Sequence, residues 1–140
     1  MRVLLIGSGG REHALATALK RDSSLTELHV APGNPGIAQI ATCHVIDTKD
    51  NSAVISLAKN LKIDLVVVGP EAPLVNGLAD ACADENIPCF GPSKSAAQLE
   101  GSKDFAKQVM KEAGVPTAKS FTCSSKEEIE KALDTFGAPY

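Results

Sequence analysis

The sequence has no apolar run of membrane-spanning length. Its longest, such as Leu65 to Val68, fall far short of the roughly 20 residues that a spanning helix needs. Met1 leads straight into a strand-like run, without a basic region, an apolar stretch of signal length or a cleavage site, so a cytoplasmic compartment is expected. Positive charge is not concentrated anywhere: 17 acidic and 14 basic residues are spread along the chain and leave a net charge of −3. No basic patch recommends nucleic acid or an anionic membrane, and any bound anion must be gripped locally. The cysteines Cys43, Cys82, Cys89 and Cys123 include no CxxC pair and have no histidine at ligand spacing. They are expected to be reduced packing residues rather than a metal site. Internal repeats and low-complexity tracts are also missing.

What is present is enough for one core and the start of another structure: 140 residues, of which 44% are hydrophobic and 22% charged. Arg2 to Ile6 is β-branched and leucine throughout, as expected of a central parallel strand covered on both faces. The turn Gly7-Ser8-Gly9-Gly10 then enters a helix from about Arg11 to Arg21, with Ala14, Leu15, Ala18 and Leu19 as its apolar stripe. Leu28 to Val30 is a second strand, and Ala31 to Gly36 a loop that glycine and proline keep out of regular structure. Cys43 to Ile46 is a third strand. Asp50 or Asn51 caps a helix whose apolar positions are Val54, Ile55, Ala58 and Leu61. Leu65 to Val68 is the fourth strand, ending in the loop Gly69 to Pro73. A helix near Val75 to Glu85 and a brief strand, Pro88 to Phe90, complete the series.

Strand and helix alternate with short connections, which predicts a doubly wound parallel sheet with right-handed crossovers. The loops at Gly7, Gly33 and Gly69 fall on the carboxyl edge of that sheet, where ligands bind in open α/β folds. After Gly91 two helices follow each other, capped by Ser93 and Ser102. Ala118 to Thr122 reads as a strand, Ser124 with Glu127 as a capping box, and Ile129, Ala132, Leu133 and Phe136 as a final helix ended by Gly137. Ala138-Pro139-Tyr140 reads as the first step of a further strand.

The glycine turn is the main chemical signal. A helix N-terminus carries unpaired N–H groups and partial positive charge, and a turn without side chains lets a phosphate reach them. Gly9 and Gly10 give that approach, and Arg11 adds a charge-assisted clamp. A dinucleotide fingerprint would place a small residue at Glu12 and an acid at the end of the second strand, where Ala31-Pro32-Gly33 stands instead. Glu12 suits either the helix dipole or an amine and hydroxyls on a ligand. Asn34 and Gly36 serve either turn chemistry or ligand contact. Glu71, between two prolines after an apolar strand, is read as a ligand contact against the alternative of a solvated carboxylate. His13 faces either core or site, and His29 and His44 are structural. Lys103 and Lys107 share a helix face, where solvation is the default for lysine.

Four motifs resemble the N-terminal part of the phosphoribosylamine–glycine ligase (glycinamide ribonucleotide synthetase) family: GSGGREHA at Gly7 to Ala14, APGNPG at Ala31 to Gly36, VVVGPEAPL at Val66 to Leu74 and FGPSKSAAQLEGSKDFAK at Phe90 to Lys107. The resemblance implies a Rossmann-like domain at 1–92 that binds phosphoribosylamine, linking helices at 93–114 and the truncated start of an ATP-grasp domain at 115–140. It implies an enzyme of de novo purine synthesis. ATP phosphorylates glycine, and the amine of 5-phosphoribosylamine attacks the glycyl phosphate to give glycinamide ribonucleotide, ADP and phosphate. Gly9, Gly10, Arg11 and Glu12 would hold the phosphoribosyl group, with Asn34, Pro35, Gly36, Pro70 and Glu71 closing around it. Lys103 would approach the ATP phosphates. The Mg²⁺ or Mn²⁺ ligands and the catalytic residues are expected outside these 140 residues, which are read as a fragment inactive alone. Partners are small molecules, with a monomer favoured. The rival readings are a nicotinamide-dinucleotide oxidoreductase domain and a free-standing phosphometabolite-binding module.

Overall fold

The computed structural model describes residues 1–138, so the expected strand step at Pro139 and Tyr140 lies outside the described residues. Two compact units divide the chain, Met1–Gly101 and Ser102 onward. The first is built on five parallel strands: β1 (Arg2–Gly7), β2 (Glu27–Pro32), β3 (Thr42–Cys43), β4 (Leu65–Val68) and β5 (Cys89–Phe90). Their order in the sheet is β3-β2-β1-β4-β5, so β1 is central and the chain runs out to one edge, then returns to fill the other. That is the doubly wound arrangement predicted from the alternation of strands and helices.

The two faces of the sheet follow the period of two. On one face Leu4, Ile6, Val66 and Val68 pack with Val54, Ile55 and Ala58 of α2 (Asn51–Asn60) and with Leu78 and Cys82 of α4 (Leu78–Asp84). On the other, Val3, Leu5, Val30 and Val67 pack with Ala16 of α1 (Gly10–Leu19) and with Ile37. Leu4, Leu5 and Ile6 are fully buried, and each such side chain contributes about 1.5–3 kcal/mol of transfer free energy. α5 (Lys94–Gly101) closes the unit, with Ala97 in the first cluster.

Several local expectations shift. Ala14 and Ala18 are exposed, because α1 is rotated to bury Glu12 and Ala16. The ladder runs through Ala31 and Pro32, where a loop was expected. Gly33 N–H, on the residue after Pro32, donates to Gly7 at 3.1 Å, so the β1 side of the ladder continues past Pro32, while on the other side β3 pairs no further than Val30 with Cys43. β3 spans two residues only, and Val45 beyond it is exposed. The helix expected near Val75 to Glu85 starts only at Leu78, and a further short helix precedes it where a loop was expected. Glu71–Val75 forms α3, Gly77 takes a left-handed φ of 92°, and α4 starts after it. Glu71 therefore stands in the first turn of a short helix rather than in a loop.

In the second unit α6 (Lys103–Glu112) is capped by Ser102, whose Oγ accepts from Phe105 N–H at 3.2 Å. α7 (Lys126–Phe136) is capped one residue later than expected, by Ser125 through Glu128 N–H, while Glu128 accepts from Ser124 N–H. Ala118 to Thr122 is not a strand. No ladder partner is present among the described residues, and side chains fasten the segment instead: Lys107 Nζ donates to Ala118 and Thr122 Oγ1 to Asp104.

Candidate functional site

The carboxyl ends of β1 and β4 meet around one side chain, Glu12. The chain leaves β1 at Gly7 with φ of 131°, turns through Ser8 and enters α1 with Gly9 as its N-cap. Glu12, in the first turn, folds back under this turn and is only 4% exposed. Its Oε2 accepts from Gly9 N–H at 2.7 Å, and its Oε1 accepts from Arg11 Nε at 2.9 Å. A Cβ at Gly7 would lie 2.5 Å from Glu12 Cγ, and one at Gly69 would also meet Cγ at 2.5 Å. Both glycines are therefore required by a buried carboxylate. Burial pushes the Glu12 carboxyl up, but the Arg11 hydrogen bond, the Gly9 N–H and the Arg11 charge outweigh it, so the group lies below the usual glutamate value.

The β2 loop is tied to the same turn. Asn34 Nδ2 donates to the Ser8 carbonyl at 2.9 Å, and Asn34 Oδ1 accepts from Ile37 N–H at 2.9 Å. Both ends of the Asn34 amide thus brace the loop. Gly36 gives room to the His13 ring: a Cβ there would lie 2.6 Å from His13 Cε1. His13 accordingly packs between α1 and the β2 loop.

Above the turn the surface is open. A Cβ added at Gly10 would meet nothing within 4 Å, in contrast to Gly7, Gly9 and Gly69. The backbone N–H groups of Gly10 and Arg11 belong to the first turn of a ten-residue helix and have no intrahelical acceptor. The Arg11 side chain is 55% exposed, anchored through Nε to Glu12, with its NH2 nitrogen 3.8 Å from Glu71 Oε2. The Glu12 hydrogen bond, with the Glu12, Glu71 and Glu100 charges behind it, outweighs desolvation and raises the Arg11 pKa. An anion at Gly10 would meet backbone donors and a fixed cation. Glu71 is exposed beside them, paired only loosely with Arg11.

The structure thus brings Gly9, Gly10, Arg11, Glu12, Asn34, Pro35, Gly36, Pro70 and Glu71 to one sheet edge. Lys103 belongs to the second unit, as the exposed first residue of α6 with no ion pair among the described residues. A cation there opposes the helix dipole, so its position gives α6 no stability. The sequence did not announce that Glu12 would be buried. Its signal was the glycine at 69, whose missing side chain is what Glu12 needs. No group of three or more His, Cys, Asp or Glu among the described residues could hold a metal ion.

Residues 1–100 match the family described as phosphoribosylglycinamide synthetase, N domain. A protein of Streptomyces coelicolor named phosphoribosylamine–glycine ligase is 58% identical over 140 residues, covering 100% of this chain and 34% of that protein. One of the same name from Mycobacterium tuberculosis is 54% identical over 139 residues, 99% of this chain and 33% of its own length. The crystal structure of phosphoribosylamine–glycine ligase from Thermotoga maritima aligns with a TM-score of 0.69 at 31% identity, covering 98% of this chain and 31% of that one. N5-carboxyaminoimidazole ribonucleotide synthetase from Thermus thermophilus, at 22% identity and a TM-score of 0.66, shares the fold. The chain spans about a third of the length of the curated relatives it matches. By the match over its first 100 residues, this chain belongs to the phosphoribosylglycinamide synthetase N-domain family.

Proposed function

We infer that this chain binds the phosphoribosylamine substrate of a phosphoribosylamine–glycine ligase, the ATP-dependent enzyme that joins glycine to 5-phosphoribosylamine and releases glycinamide ribonucleotide, ADP and phosphate. The observation that carries the reading is the open space over Gly10, bounded by first-turn N–H groups and the anchored Arg11 guanidinium. In this reading the 5-phosphate sits on the Gly10 and Arg11 N–H groups, where a helix N-terminus favours an anion. Arg11 pairs with a phosphate oxygen, and Glu71 takes the ribosyl amine or hydroxyls. Glu12 acts from behind, holding Gly9 and Arg11 in place, and Asn34, Pro35, Gly36 and Pro70 shape the surrounding loops.

Lys103 is assigned to the ATP phosphates and the divalent metal to residues outside those described, with residues 1–92, 93–114 and 115–140 as the corresponding division of the chain. ATP supplies the activation of the glycine carboxylate, and this chain's own part is to bind and orient the amine nucleophile. No observation favours the dinucleotide reading, since β2 ends in Ala31-Pro32 rather than an acid.

Ribose 5-phosphate, which carries the same phosphate and sugar, tests the site directly. Titration should shift the amide resonances of Gly9, Gly10 and Arg11. Gly10→Val should weaken binding at least about tenfold, equivalent to about 1.4 kcal/mol, with little change in the urea midpoint. Unchanged affinity in that variant, or NAD shifting the same amides more strongly than ribose 5-phosphate, would overturn the assignment.

A further inference from the structure

Cys82 and Cys89 lie on either side of the turn between α4 and β5. That turn is tight: Ile87 N–H donates to the Cys82 carbonyl at 2.9 Å, folding the chain back over the helix. The ladder then pairs Cys89 with Val66, and Val66 belongs to the face of the sheet on which Leu78 and Cys82 of α4 are buried. Cys89 packs against that same cluster. Register and helix face therefore bring the two cysteines into one cluster, although neither is in a CxxC motif.

The two thiols are not equivalent. Cys82 is fully buried, whereas Cys89 is half-buried and lines a cavity of about 490 Å³ with Ala79, Asp80, Ala83, Pro88 and Gly91. The neighbouring Cys89, with burial behind it, pushes the Cys82 thiol up, and the neighbouring Cys82 draws Cys89 down against burial. Negative charge is therefore favoured on Cys89, which is also the sulfur-bearing residue that reaches the cavity. The thiolate is the nucleophilic form of cysteine.

We propose that Cys89 and Cys82 form an oxidisable pair in which Cys89 reacts first with a hydroperoxide from the cavity and Cys82 resolves it. In the first step the Cys89 thiolate attacks the peroxide, the O–O bond breaks, and Cys89 becomes a sulfenic acid while hydroxide, or an alkoxide from an organic peroxide, departs. In the second, the Cys82 sulfur attacks the sulfenic sulfur, an S–S bond forms, and the Cys82 proton leaves with the displaced hydroxide as water. Two thiols lose two electrons and the hydroperoxide gains them. The product staples the edge strand β5 to α4. Cys43 packs on the opposite face of the sheet and takes no part.

Peptide mapping of the full chain tests this pair. After exposure to hydrogen peroxide, the remaining thiols are alkylated under denaturing conditions and the protein is cleaved after glutamate. Cleavage at Glu71, Glu85 and Glu100 separates the two cysteines into peptides 72–85 and 86–100. The expected result is loss of Cys82 and Cys89 from the four alkylatable thiols, with the two peptides joined at a mass two hydrogens below their sum. In Cys82→Ala, Cys89 should instead be trapped by dimedone as the sulfenic acid. In Cys89→Ser, Cys82 should remain alkylatable after the same exposure. Cys82 still free while Cys89 reaches the sulfinic acid in the unsubstituted chain, or a disulfide to Cys43 or Cys123, would refute the proposal.

Discussion

Replacing Glu12 is the most direct test of how the glycine turn is held. Its carboxylate is 4% exposed and accepts from Gly9 N–H at 2.7 Å. A hydrogen bond to a charged group contributes about 1.5–3 kcal/mol. Glu12→Ala also removes the atoms that fill the space at Gly7 and Gly69, a loss on the order of 1–2 kcal/mol from the cavity left behind. The Arg11 pair adds little, because that side chain is 55% exposed. Release of a desolvated carboxylate offsets part of the sum, so Glu12→Ala should destabilise by about 3 kcal/mol. Glu12→Gln, which keeps the volume and an acceptor for Gly9, should cost about 1 kcal/mol. Urea unfolding at pH 7 measures both. The folded pKa of Glu12 lies below its unfolded value of about 4.3. The advantage over Gln is therefore complete above that value and is lost as pH falls through the lowered folded one. An alanine variant within about 0.5 kcal/mol of the unsubstituted chain, or a Gln variant as unstable as Ala, would refute the reasoning.

Gly69→Ala should be destabilising by about 1–3 kcal/mol by overpacking, because its Cβ would collide with the buried Glu12 side chain, whereas Gly10→Ala should leave the urea midpoint nearly unchanged. A Gly69→Ala chain as stable as Gly10→Ala would show that Glu12 can move aside. His29 Nδ1 lies 3.0 Å from His44 Nε2, with Glu27 on the other His29 nitrogen and Arg2 on Glu27. Burial, then the His29 charge, lowers the His44 pKa, so its contribution to stability is present above about pH 6.5 and declines as pH falls toward the lowered folded value. His44→Gln should flatten the thermal stability profile between pH 7 and pH 5, and an unaltered slope would exclude the pair as its source.

Much of the site was legible before the fold was known. The turn from β1 into α1 announces itself locally, since an apolar run followed by glycines and a helical period specifies a strand, a turn and a helix within a few residues. The alternation of such units limits the topology to a doubly wound sheet, and that places the loops at Gly7, Gly33 and Gly69 on one edge. Ser102 as a cap and Asp50 as a cap were also readable, because capping bonds close within three residues.

Tertiary structure decided what depends on residues distant in the chain. Glu12 reads as a surface carboxylate at a helix start until Gly69, from the other half of the sheet, removes the side chain that would block it. Asn34 reads as a turn residue until Ser8 comes within reach of its amide. Ala118 to Thr122 has strand composition but no partner strand among the described residues, and composition cannot supply the hydrogen bonds of a ladder. Cys82 and Cys89 read as unrelated packing residues until sheet register and the α4 face bring them together. By itself the sequence determined most of the elements, their order and the edge where the glycine loops gather, because turn chemistry and periodicity act over a few residues. Only the fold decided which side chains at that edge are exposed and which are buried, because burial is set by packing between elements far apart in sequence.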